Sequence, residues 1–115
     1  YLFLMQKNHF LVKQRGDNDI WKKLYELPLI ESEKSLKKEQ LIENRYFKLL
    51  KKFKIKNPSI VNHKLSHQNL KILFWEIQSD NINNLGLKKI SIQDLEKYPF
   101  PTPLKNYIDK AHRNI

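Results

Sequence analysis

The sequence predicts a mixed α/β domain, and three observations carry that prediction. Short apolar runs at 1–5 and 9–14, split by Gln6-Lys7-Asn8, form a β-hairpin with a polar turn. Ile42, Tyr46, Leu49 and Phe53 are spaced by four, three and four, which puts them on one face of an α-helix. Two further runs, 60–65 and 70–78, read as strands flanking a polar loop at 66–69. The expected architecture is a mixed β-sheet with one long helix and two short C-terminal helices.

The remaining elements follow in chain order. Residues 15–19 form a loop with Gly16 as its flexible point. Segment 21–30 reads as a strand whose Leu27-Pro28-Leu29 end puts a proline at an edge or bulge. The helix begins near Lys37, and its outer face carries Lys37, Lys38, Arg45, Lys48, Lys51, Lys52 and Lys54. Cations near its C-terminus also suit the helix dipole. Asn57-Pro58 ends that unit, since a residue before proline avoids the α region. Residues 80–84 are a polar loop, and 88–90 a short strand. Ser91 and Asp94 have capping-box spacing for a short helix to about 97. After a rigid Pro99-Phe100-Pro101 connector, Thr102 caps a final helix with Pro103 at its first position. Leu104, Tyr107, Ile108 and Ala111 give that helix an apolar stripe.

Composition narrows the function. The chain has 115 residues, enough for one core, and 40% of them are apolar, with two Trp, six Phe and five Tyr. It opens at Tyr1 inside a predicted strand with no initiator Met, and is read as a fragment of a longer protein. The absence of cysteine excludes disulfides, thiolate zinc sites and iron–sulfur clusters within this chain. No apolar run approaches the roughly 18 residues of a membrane helix, and no signal-peptide pattern opens the chain. Twenty-two Lys and Arg face twelve Asp and Glu, a formal charge of +10. Such an excess favours polyanions (DNA, RNA or an anionic membrane), and is also what biased genome composition produces.

Several chemistries fail on residue type or spacing. A Nudix-type pyrophosphohydrolase has this order of strands, with a helix after the third. Its catalytic helix needs clustered carboxylates that hold divalent cations through oxygen. Here the helix offers Glu39 and Glu43 among lysines, and no two acidic residues are adjacent anywhere in the chain. His63 and His67 have i, i+4 spacing, which converges on a metal only on a helix, whereas this segment reads as strand and loop. Ser66 beside His67 lacks the third group that orients a catalytic base. No catalytic, metal or cofactor-binding residue is therefore assigned.

Nucleic-acid binding fits better. Lys64, Ser66, His67 and Asn69 set donors and acceptors on one loop, and Lys48, Lys51 and Lys52 offer phosphate contacts on the predicted helix. Each lysine is also an ordinary member of a solvated face. Trp21, Tyr25, Phe74 and Trp75 are read as core rather than as stacking platforms. A basic module that binds an acidic protein partner remains open alongside DNA binding.

The segments 10–15, 20–29 (with Trp21-Lys22-Lys23-Leu24-Tyr25-Glu26-Leu27-Pro28), His63-Lys64-Leu65-Ser66-His67 and Tyr98-Pro99-Phe100-Pro101 give the chain a family likeness over nearly its whole length. It resembles the C-terminal domain of MutY-type A/G-specific adenine DNA glycosylases. The resemblance implies a Nudix-like fold without hydrolase activity that reads 8-oxoguanine opposite a mispaired adenine in base-excision repair. The family's Phe-Ser-His loop falls on Leu65, Ser66 and His67. By that resemblance Ser66 hydrogen-bonds the lesion, His67 supports the loop or meets the backbone, and Leu65, an aliphatic residue in place of Phe, acts as a wedge. The implied partners are duplex DNA holding an 8-oxoguanine:adenine mispair and an N-terminal catalytic domain in the same polypeptide. That domain carries the family's catalytic residues and iron–sulfur cluster, so this chain is not expected to cleave adenine by itself. The implied location is the cytoplasm, at the nucleoid, with no membrane partner.

Overall fold

A computed structural model describes residues 1–14, 24–31, 36–50, 52–64, 69–83 and 85–113. Among them the strands are β1 Leu2–Gln6, β2 His9–Gln14, β3 Tyr25–Glu26, β4 Phe53–Ile55, β5 Ser59–Lys64, β6 Asn69–Ser79 and β7 Lys88–Ser91. The helices are α1 Lys38–Leu41, α2 Arg45–Leu49, a 3-10 helix over Ile92–Lys97, and α3 Thr102–Arg113.

The sheet is mixed, as the sequence predicts. Its order is β3-β2-β1-β6-β4, with β5 also paired to β6 and β7 to β2. Among the described residues only β1 and β6 pair in parallel, Leu2 opposite Trp75. β1 and β2 form the predicted hairpin, and Lys7 in its turn takes a positive φ of 54°. Alternation along the strands sends side chains to two cores. Phe3, Met5, Phe10, Val12 and Phe74 face one side, where the 3-10 helix and α3 cover them with Leu95, Leu104 and Ile108. Leu2, Leu4, Leu11, Trp75 and Ile77 face the other, beneath Leu41, Tyr46, Phe47 and Leu50. The result is a sheet between two helical layers. Phe74 and Trp75 are buried, and Tyr25 is half-buried against the first core, as the core reading of these aromatics predicts.

The long helix expected from Lys37 is instead two short ones, followed by a strand. Asn44 breaks it: its side-chain carbonyl accepts from the Tyr46 amide at 3.0 Å and caps α2. Leu50 ends α2 with extended backbone, and 53–55 pair with the far end of β6. The four-three-four spacing therefore arose from three elements, not one. It put Phe53 on a helix where the chain forms β4, and it put Ile42 and Leu49 on the buried face although they are 42% and 52% exposed. The longest helix among the described residues is α3. It starts one residue earlier than predicted, with the Pro101 carbonyl accepting from the Leu104 and Lys105 amides. Leu104 and Ile108 of its stripe are buried, and Tyr107 and Ala111 pack beside them. Ser91 caps the 3-10 helix through the Gln93 amide, the position predicted for a cap. Of the predicted strand at 21–30 only Tyr25 and Glu26 pair among the described residues; 21–23 lie outside them.

Candidate nucleic-acid interface

β6 is eleven residues long, and only its second half lies in the body of the sheet. Residues 75–78 pair with β1, while 69–74 pair with β5. The β5–β6 hairpin thus extends past the start of β1 by about 20 Å, at ~3.3 Å per residue. Its root is firm. Phe74 is held between Tyr107 (4.1 Å, 8° between planes) and Tyr1 (5.6 Å, 17°). Val61 and Ile72 continue the same core along one face. Where β4 gives way to β5, three residues (56–58) oppose two (75 and 76), a β-bulge that holds Pro58 in an edge position. Lys56 closes it with an ion pair to Glu76 at 2.8 Å.

In sequence, the predicted contact loop falls between β5 and β6. Lys64 ends β5, exposed, and pairs with Asn69 at the start of β6. Leu65, Ser66 and His67, and with them the Ser66–Asn69 stretch read as a turn, fall at 65–68 outside the described residues, except for Asn69 itself. Of the three helix lysines, Lys51 is also outside them. Lys48 is exposed on α2, and Lys52 is exposed where its carbonyl accepts from Ser79 Oγ at 2.7 Å. Ser79 ends β6, ten residues past Asn69, so Lys52 stands about 33 Å from Asn69 along the strand. Lys64 and Lys52 therefore belong to two separate basic areas.

A second feature at the hairpin's end of the sheet escaped the sequence reading. β1 runs parallel to β6 and β2 antiparallel to β1, so the end of β2 and the starts of β3 and β7 lie at that same end. There Lys88 Nζ sits 5.0 Å from the ring centre of Tyr98 and 5.6 Å from that of Tyr25, which meet edge to face. An open cavity of about 240 Å³ lies between Lys88, Tyr25, Lys13 and Gly86. Gly86 turns the chain there with φ +72°, a conformation other residues rarely adopt. Tyr25, Lys88 and Tyr98 are far apart in sequence, and no local pattern signals their meeting.

Carboxylates do not gather in the described residues. Glu39 lies on α1 and Glu43 in the turn after it, both exposed and flanked by Lys38, Arg45 and Lys48. No three His, Asp or Glu converge among the described residues. This donor set does not fit a Mg²⁺ site, which takes several oxygen ligands. No described helix is long and apolar enough to cross a membrane.

A mixed sheet between two helical layers, with the β5–β6 hairpin at one end, defines an α/β domain. The chain matches the family model of the NUDIX domain over residues 1–110 and belongs to that family. No curated protein matches it.

Proposed function

We propose that this NUDIX-family chain is the lesion-recognition domain of an A/G-specific adenine DNA glycosylase. It reads 8-oxoguanine opposite a mispaired adenine and does no chemistry itself. The catalytic step belongs to an N-terminal domain of the same polypeptide, with which this chain shares the duplex. The observation that supports the reading is the β5–β6 hairpin, rooted at Phe74, whose strands end at Lys64 and begin at Asn69 on either side of the motif's Leu65-Ser66-His67 in the sequence. The formal charge of +10 supports it by supplying sequence-independent attraction to phosphate. The donor set at Glu39 and Glu43 gives the hydrolase alternative no comparable support.

In this role Ser66 donates or accepts one hydrogen bond at the oxidised base, while lysines hold the backbone. Ser66→Ala is expected to weaken binding to a duplex with 8-oxoguanine opposite adenine by about 0.5–1.5 kcal/mol, the net contribution of one hydrogen bond. Binding to the same duplex with guanine is expected to change little. Fluorescence anisotropy on both duplexes tests this. Equal losses on the two would mean that Ser66 shapes the loop without reading the lesion.

A further inference from the structure

The two faces of the β5–β6 hairpin differ. On one, Val61, Ile72 and Phe74 join the core beneath α3. On the other, the register sets Ile60 opposite Leu73, Asn62 opposite Lys71 and Lys64 opposite Asn69. Ile60, Asn62, Lys64 and Lys71 are all exposed there. Each lysine faces an asparagine and not the other lysine, so the direct like-charge opposition that would splay the strands is avoided. The two ammonium groups are diagonal neighbours, about 7–8 Å apart at their roots. Neither pairs with a carboxylate among the described residues.

We propose that this face, with Lys64, Lys71 and Asn62, is a track for the phosphate backbone of a DNA duplex. The inference rests on the lesion-reading function and adds to it Asn62 and Lys71, which both lie outside the 63–67 motif. Three observations favour a duplex over an acidic peptide. One face of the ribbon is exposed from Ile60 to Lys64 and at Lys71, so a long polyanion can lie along it. Strands about 4.8 Å apart make it narrow enough for a groove about 12 Å wide. Lysine alternating with asparagine is the donor pattern that serves phosphate and sugar contacts, which position a protein without specifying sequence.

The test compares salt dependence in the full chain. Lys64→Gln with Lys71→Gln removes two charges from the track. Lys97→Gln with Lys110→Gln removes two from exposed sites on the layer over the opposite face. Affinity for a short duplex is measured over a range of salt, with and without 8-oxoguanine opposite adenine. The hairpin pair is expected to flatten the log–log slope by about 1.8, at about 0.9 per phosphate released, while the control pair leaves it unchanged. Lys64→Arg with Lys71→Arg, which keeps both charges, is expected to restore the slope and guards against misfolding. An unchanged slope in the hairpin pair, or equal flattening in both pairs, would overturn the track. Equal affinity of the unaltered chain for the two duplexes would instead overturn the lesion reading and leave the track standing.

Discussion

Single residues show how the site is held. Phe74 is 1% exposed and stacked between two tyrosines at the point where the hairpin leaves the sheet. Phe74→Ala is expected to destabilise the fold by about 3–5 kcal/mol, read from urea unfolding, since it removes a buried ring from a close-packed stack. Tyr107 has its phenol held well above the usual tyrosine range, first by burial and then by the nearby Glu76 carboxylate. Its neutral form is favoured in the folded chain, so stability is full below about pH 10 and falls as pH rises past that value. The amine of Tyr1 donates to the Leu73 carbonyl at 2.8 Å, and burial lowers its pKa from 8.0 to about 6. The folded state then binds fewer protons than the unfolded one between these values. For a chain beginning at Tyr1, stability is expected to rise from pH 6 to pH 8 and to lose that rise on N-terminal acetylation, as unfolding midpoints would show. At this scale the sequence was legible for the core aromatics Phe74 and Trp75 and for the Ser91 cap, but not for the Asn44 cap, and Thr102, read as a cap, is the first residue of α3. The sequence was silent on Lys88 between Tyr25 and Tyr98, because only long-range pairing brings them together.

At the scale of elements, what could be read locally was read well. Strict apolar runs around a short polar turn marked β1 and β2, and the runs on either side of 66–69 marked β5 and β6. Ser91 and the Pro99–Pro101 connector marked the starts of the last two helices. The long helix failed because the spacing of Ile42, Tyr46, Leu49 and Phe53 matches a helical stripe by coincidence. A mid-segment asparagine is as good a cap as a helix surface residue. β4 was missed because its partner, β6, is more than twenty residues away and no turn signal joins them. With five residues, α2 relies on its cap. Asn44→Ala is expected to cost about 1 kcal/mol and to reduce amide protection at 46–50 in hydrogen exchange, with β6 spared. A loss spread evenly over the sheet would mean that α2 and the sheet unfold as one unit.

Over the whole molecule, one sheet supports two basic areas separated along β6, one at the hairpin and one around Lys48 and Lys52. A duplex that meets only the hairpin leaves the second area free. Reversing Lys48 and Lys52 to Glu is then expected to weaken binding modestly and equally for damaged and undamaged DNA, since distant charge steers without specifying. Lesion reading itself is tested most directly by titrating the isotope-labelled chain with two duplexes, one holding 8-oxoguanine opposite adenine and the other guanine. Amide shifts at 64–69 that differ between the duplexes are the predicted result. Shifts that are identical for both, or absent from the hairpin, would contradict a lesion reader.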